Sequence, residues 1–233
     1  MTGSETDTIK LNSWKEVQQY NDNGFLKIPV SYFEHVVQHG NYYPKHAFSS
    51  GQFASKSWLL EKLHKINWRH QPNKNTVVIL GCWVGGLVDP LLRTFNDIER
   101  VYGIDMDADA IEKSEKLNRN YVQNNWQYKG VVADVTSLDL NEMTFTTDGE
   151  LINVKPNWII NTSCEHMNTD WFDTAEKDQL VIMQTNNSPE FEGHINICHT
   201  IDDMSNKYPL SNTLYIGELI TPAYTRYMQI GYK

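Results

Sequence analysis

From residue 76 onward, short Val/Ile-rich runs alternate with segments of helical spacing, and this alternation constrains the fold more than any other feature. TVVIL (76–80) is followed by a glycine-bearing turn and GLVDPLLRTFN, and RVYGIDM (100–106) by ADAIEKSEKLNRNYV. WQYKGVVADV (126–135), PNWIINTS (156–163) and DQLVIMQT (178–185) complete five such runs, with NTDWFDTAEK between the last two. The runs are continuously apolar, as expected of strands covered on both faces. Parallel neighbours need a long crossover, and the helical segments supply one each time. The tail differs, because only residues 221–224 separate NTLYIGELI from TRYMQIGYK. So short a connection predicts an antiparallel pair. The expected architecture is α/β: a doubly wound, mostly parallel, seven-stranded sheet closed by a C-terminal antiparallel hairpin.

Residues 1–75 read differently and are expected to form an N-terminal helical cap, with residues 76–233 as the main domain. NSWKEVQQYNDNGF has mixed helical spacing after a cap candidate at Asn12. VSYFEHVVQHG places Tyr32, Phe33, Val36 and Val37 on one helical face and stops at Gly40. SSGQFASKSWLLEKLHKI carries a Ser N-cap and apolar positions Phe53, Trp58, Leu59, Leu63 and Ile66, so it is expected to be helical. HGNYYPKHAF reads as a loop, and QPNKN (71–75) as polar punctuation before the first strand.

Twenty Lys and Arg residues against 29 Asp and Glu give a net charge of −9, which disfavours a groove tracking a phosphate backbone. Nucleic acid is therefore a disfavoured partner and a small molecule the expected one. Three widely spaced cysteines (Cys82, Cys164, Cys198) form neither a disulfide framework nor a zinc signature. The longest uncharged apolar-rich run, Val77 to Val88, is about half a membrane span. MTGSETDTIK carries no apolar signal core. A cytoplasmic protein is the expectation.

VVILGCWVGG lies at a strand-to-helix turn, where glycines let the backbone approach a ligand closely. Asp105 stands 20 residues after Gly85, at the end of the second strand, where a carboxylate can accept from both hydroxyls of a ribose. Together with VYGIDMDADAIEKSEKLNRN, VVADVTSLDL and NWIINTSCEHMNTDWF, this turn resembles, in order, the motifs of class I S-adenosylmethionine-dependent methyltransferases of the small-molecule type. GIDMDADAIEKS is the most specific match, and the resemblance covers about residues 76 to 233, closing hairpin included. It implies a Rossmann-like domain, S-adenosylmethionine as cofactor, and methyl transfer to a small or medium polar acceptor.

The resemblance also assigns residues. Gly81, Cys82, Trp83 and Gly85 form the cofactor turn, Asp105 holds the ribose, and Met106 packs on the adenine. Asp134 accepts from the adenine amino group, and Val135 adds a backbone donor. Asn161, Thr162 and Ser163 lie beside the sulfonium. Two positions depart from the family pattern: Ile79 stands where an acidic residue is usual, and Trp83 replaces the second glycine. These departures keep two alternatives open. One is another reaction on the same cofactor, namely aminocarboxypropyl transfer, lyase or cyclising chemistry; the other is a non-catalytic binding module. Asp134 as a turn cap and Asn161 as a sheet-end cap are the plain structural alternatives.

Glu165 and His166 follow the fourth strand at the expected substrate mouth and are the candidate acid–base pair. Beyond the fifth strand, Gln184, Asn186 and Asn187 precede GHINICH, which if extended places His194, Asn196 and Cys198 on one face. Zinc binding by His194, Cys198 and His199 has poor spacing and too few ligands, so no metal is expected. Tyr42, Tyr43 and Trp58 are expected to pack on the sheet or to form a lid.

Overall fold

The computed structural model describes residues 6–25, 42–66, 74–123, 126–147, 149–189 and 193–233. The helix expected over VSYFEHVVQHG, and most of QPNKN, lie outside these residues. Eight strands form one sheet: β1 (Asp7–Lys10), β2 (Asn75–Leu80), β3 (Ile98–Asp105), β4 (Tyr128–Val132), β7 (Trp158–Asn161), β8 (Leu180–Asn186), β9 (Asn212–Ile220) and β10 (Thr225–Tyr232). Their order across the sheet is β1-β9-β10-β8-β7-β2-β3-β4. The β2–β3, β3–β4, β2–β7 and β7–β8 pairs are parallel. The β10 strand runs antiparallel to both β8 and β9, as the short tail connection required. A separate hairpin, β5 (Met143–Thr147) with β6 (Glu150–Val154), stands apart from the sheet.

The apolar runs are continuous because both faces are covered. In β2, Val77 and Ile79 join a core with Trp58, Leu59, Leu63 and Leu91, drawn from α2 (Ser50–Lys65) and α3 (Val88–Thr94). Val78 and Leu80 face the opposite core, which contains Trp171 of α6 (Asp170–Asp173, preceding α7) and Tyr208, which ends α7 (Ile201–Lys207). The side-chain period of two thus feeds two cores at once. Ile79, one of the two departures noted from the sequence, is only 2% exposed and packs in the core.

Several boundaries differ from expectation. Helix α1 (Trp14–Asn23) is capped by Ser13 and not Asn12: Ser13 Oγ accepts the Glu16 N–H, while Glu16 returns a bond to the Asn12 N–H at 2.8 Å. Ser49 caps α2 as read. The helix expected across residues 108–122 is divided at Asn118 into α4 (Ala108–Leu117) and α5 (Arg119–Gln123). HGNYYPKHAF contains a 3-10 turn at Lys45–Phe48.

The N-terminal part is also not wholly helical. Its β1 strand pairs in parallel with Gly217–Ile220 and makes the sheet eight-stranded instead of seven. Asp7 fixes it there, accepting from the Tyr215 hydroxyl at 3.0 Å and the Lys62 ammonium at 2.5 Å. Four residues of which only Ile9 is apolar carry too weak a pattern to announce a strand.

The chain runs from β2 outward to β3 and β4, then returns to β7 on the other side of β2. That reversal is a topological switch point, and ligands bind beyond the carboxyl ends of the strands at such points, here β2 and β7.

Candidate active site

The turn after β2 is shaped by three residues with positive φ: Gly81 (60°), Trp83 (51°) and Gly85 (70°). A Cβ on Gly81 would lie 3.2 Å from both Ser163 Cβ and Met167 Cε, so its bare backbone lets the β2 and β7 loops touch. Gly85 is required by packing. A Cβ there would sit 2.7 Å from Asn118 Nδ2 and 2.9 Å from Ser114 Cβ, so this glycine seats the turn against α4. Asn118 completes the joint, donating to the carbonyls of Gly85 at 3.0 Å and Ser114 at 2.9 Å.

Trp83 adopts a left-handed backbone that costs a side-chain-bearing residue about 1–2 kcal/mol. Asp105 helps to hold it, because its Oδ2 accepts the Trp83 N–H at 2.8 Å and its Oδ1 accepts the Asp107 N–H at 3.0 Å. A carboxylate offers about four lone-pair sites, so both oxygens retain capacity to accept from a ligand. The Trp83 ring packs on a small cluster of Tyr43, Ala47 and Val84, flanked by Tyr42 and Phe48. Cys82, in contrast, points beneath the turn, with its sulfur 3.9 Å from the Tyr128 hydroxyl. Burial, and the Asp105 charge after it, push its thiol far up. Its side chain is a packing group, which leaves only its backbone for a ligand.

Met106 is 76% exposed immediately beyond Asp105, and Val135 is buried. Asp134 caps the 3-10 turn Val135–Ser137, its Oδ1 accepting from the Thr136 hydroxyl at 2.8 Å and N–H at 2.9 Å. These bonds hold its carboxyl below the usual carboxylate range.

At the end of β7 the structure revises the expected roles. Asn161 is fully buried, its Oδ1 accepting the Ser163 N–H at 3.0 Å and its Nδ2 meeting Met167 Sδ at 3.2 Å. Its amide is committed to its own loop, the structural alternative weighed for it. The Thr162 carbonyl accepts from Arg226 Nη1 at 3.2 Å, and Ser163 Oγ donates to the Gly81 carbonyl at 3.3 Å. Gly81 and Ser163 are thereby brought together at the switch point, and Asp105 reaches the same turn through the Trp83 N–H.

Glu165 and His166 follow in a 3-10 turn, Cys164–His166. Glu165 is 3% exposed; its Oε1 accepts from Asn186 Nδ2 at 2.6 Å and lies 3.7 Å from Arg226 Nη2. His166 reaches the surface, and its Nδ1 lies 3.2 Å from the Gly193 carbonyl. A carbonyl only accepts, so Nδ1 carries the proton and Nε2 is the basic nitrogen. Burial lowers its pKa, with the Glu165 charge opposing, which favours the neutral ring. The His194 ring stands edge-on to it, with centroids 4.6 Å apart.

The polar side chains that end and follow β8 bond within the protein. Gln184 bonds Ser55, Asn186 holds Glu165, and Asn187 Oδ1 accepts the Thr225 N–H. GHINICH is a loop, not a strand: the N–H groups of Ile195 and Asn196 both donate to the Glu165 carbonyl. Cys198 is 1% exposed while His199 is exposed, so they and His194 do not converge as a zinc set. Trp58 is fully buried and donates to the Tyr215 hydroxyl, which makes it a core residue. Arg226 is the site residue that motif reading missed; a lone arginine within the apolar strand TRYMQIGY was its signal.

The chain has the class I S-adenosylmethionine-dependent methyltransferase fold. No protein-family model and no curated protein sequence matches it. Among solved structures it is similar to magnesium protoporphyrin IX methyltransferase (ChlM) from Synechocystis PCC 6803 with bound SAM. That likeness has a TM-score of 0.56 at 14% identity, over 94% of this chain and 96% of that one. The SAH-bound methyltransferase PaMTH1 of Podospora anserina gives 0.56 at 14% identity, over 94% of each chain. Geranyl diphosphate C-methyltransferase from Streptomyces coelicolor A3(2) gives 0.55 at 14% identity, over 97% and 89%. Among the described residues, no helix is long and apolar enough to cross a membrane.

Proposed function

We infer that the protein binds S-adenosylmethionine beyond the carboxyl ends of β2, β3 and β7 and transfers its methyl group to a small or medium polar acceptor. The observation that carries this reading is Asp105. Its carboxylate ends β3, locks the glycine turn through the Trp83 N–H, and keeps acceptor capacity for two vicinal hydroxyls. Met106 then supplies an apolar surface for adenine, and Asp134 an acceptor for its amino group. Residues 42–48 pack on Trp83 and so stand beside the proposed cofactor turn.

Methyl transfer is an in-line displacement: the acceptor atom bonds to the methyl carbon while the sulfonium keeps the electrons of the broken C–S bond and becomes a neutral thioether. Proximity and alignment supply most of the acceleration for such a reaction. The remaining task is to take a proton from an amine or hydroxyl acceptor. His166 has a neutral ring, an exposed position and a basic Nε2, and suits that task. Glu165, buried and tied to Arg226 and Asn186, acts by positioning. The similar structures span a porphyrin and a prenyl diphosphate enzyme, so the acceptor must be found by assay.

Mass spectrometry of S-adenosylmethionine incubated with the protein and pooled metabolites tests this reading. S-adenosylhomocysteine with a methylated product is expected. Methylthioadenosine would replace methyl transfer with aminocarboxypropyl, lyase or cyclising chemistry, to which the Trp83 and Ile79 departures point. Unchanged cofactor would leave a binding module.

A further inference from the structure

We propose that Glu165, His166 and His194 form a binding site for one divalent transition-metal ion of the zinc type. A carboxylate oxygen and one nitrogen from each imidazole lie within 4.8 Å of one another. Two imidazoles and a carboxylate are a donor set suited to such an ion, and three protein ligands leave its fourth position open.

Four features show that the cluster is built and not an accident of neighbouring surface groups. The two histidines are oriented by backbone carbonyls: His166 Nδ1 meets Gly193 O at 3.2 Å, and His194 Nδ1 meets Ser188 O at 2.6 Å. Holding the proton on Nδ1 makes Nε2 the coordinating atom, the arrangement that ligating histidines commonly show. Glu165 Oε2 is buried without a hydrogen-bond partner among the described residues, in a side chain only 3% exposed. An orphaned carboxylate oxygen costs free energy that an ion would offset. The other oxygen, Oε1, is anchored by Asn186 and lies 3.7 Å from Arg226, so the carboxylate is held in one orientation. Finally, the Glu165 carbonyl accepts both the Ile195 and Asn196 N–H groups, which ties the loop bearing His194 to the turn bearing the other two ligands.

The bond lengths are within reach. Tetrahedral coordination at about 2.0–2.2 Å puts ligand atoms about 3.4 Å apart, so the largest separation closes by at most about 1.4 Å. Small rotations of the exposed His166 and the half-buried His194 cover that distance. Arg226 opposes the cation, but it stands on the Oε1 side of the carboxylate, and the ion takes Oε2.

The consequence for chemistry rests on the methyl-transfer reading; the ion site itself does not. A hydroxyl or thiol bound at the open position loses its proton to solvent far more readily than in water. The resulting anion then attacks the methyl carbon, and the sulfonium leaves as a neutral thioether. The acceptor class this selects is a small molecule carrying a hydroxyl or thiol. In the ion-bound protein His166 is a ligand, and the ion takes over the proton handling.

The test uses the full chain stripped with a chelator, in the absence of S-adenosylmethionine. Zinc is titrated by calorimetry and cobalt(II) by its visible absorption. We expect one ion per chain and d–d bands of a four- or five-coordinate cobalt centre. His194→Ala and Glu165→Gln each weaken binding at least tenfold, while His199→Ala, outside the cluster, leaves it unchanged. Glu165 is buried, so if its variant fails to fold, His194→Ala decides alone. Absence of saturable one-to-one binding, or wild-type affinity in His194→Ala, overturns the proposal. A parallel titration with S-adenosylmethionine separates the two readings: cofactor binding without ion binding removes only the metal site, and ion binding without cofactor binding removes only methyl transfer.

Discussion

Replacing Asp105 with alanine tests the cofactor site and the glycine turn together. The carboxylate makes two charge-assisted bonds to backbone N–H groups, at 2.8 Å from Trp83 and 3.0 Å from Asp107. Bonds to charged groups contribute about 1.5–3 kcal/mol each, and Asp105 is partly exposed, so the lower figure applies and the pair is worth about 3 kcal/mol. For a chain of this length that corresponds to a fall in Tm of roughly 6–12 °C. The same substitution removes the acceptor of both ribose hydroxyls, a further 1.5–3 kcal/mol in binding, or roughly a 10- to 100-fold rise in Kd. A thermal melt with and without S-adenosylmethionine, and calorimetry well below the melt, measure both effects on one sample. Asp105→Asn keeps one acceptor oxygen and should fall between. An alanine variant that melts with the wild type refutes the locking role. One that melts early but binds the cofactor normally refutes the ribose role.

Gly85→Ala meets Asn118 and Ser114 at less than 3 Å in a left-handed backbone, so it should cost about 2–4 kcal/mol of stability while the folded fraction keeps its cofactor affinity; a melt and a titration check this. Trp83→Gly relieves the positive φ but removes the ring from the Tyr43–Ala47–Val84 cluster, so stability should change by less than about 1.5 kcal/mol while cofactor Kd moves several-fold by calorimetry. His166→Ala should lower turnover by at least about 100-fold with an unchanged cofactor Kd, measured by product formation under saturating cofactor. Burial, and Arg226 after it, push Lys56 down to about 7. Between that pH and about 10.4 the unfolded chain binds the extra proton, so stability should rise with pH by up to about 1.4 kcal/mol per unit. Lys56→Met should flatten that rise in denaturant titrations, and identical slopes would refute it.

The parts of the fold legible in the sequence were those written in long, continuous patterns. Val77 to Leu80 must be buried on both faces, and the connection over residues 221–224 admits only a hairpin; both statements follow from residue type and distance. The β5–β6 hairpin was not read from the sequence: ELINV does not alternate, and Gly149, with its positive φ, is the one local sign of the turn. The α7 helix carried a capping box at Thr200 and Asp203 that motif reading passed over. The site was legible where a single residue acts from a strand end, as Asp105 does. It was not legible where function depends on pairs brought together by the loops. Asn186 and Glu165 lie 21 positions apart and meet only because β7 and β8 are neighbours. His194 read as part of a set with Cys198 and His199, because nothing local shows that the loop folds back over Glu165.

The placement of β1 beside β9 carries a consequence for biosynthesis. Asp7 and Gly217 are partners in the ladder yet stand 210 positions apart. At translation rates of about 5–20 residues per second, the first strand waits roughly ten to forty seconds for its partner to be made. The 210 positions between the two strands must therefore be made before the sheet can be closed on this side. Until then the nine-residue strand Asn212–Ile220, once paired with β10, offers an open edge to any other extended segment. Docking of Asp7–Lys10, fastened by Lys62 and Tyr215, is a late event that covers the Gly217–Ile220 part of this edge.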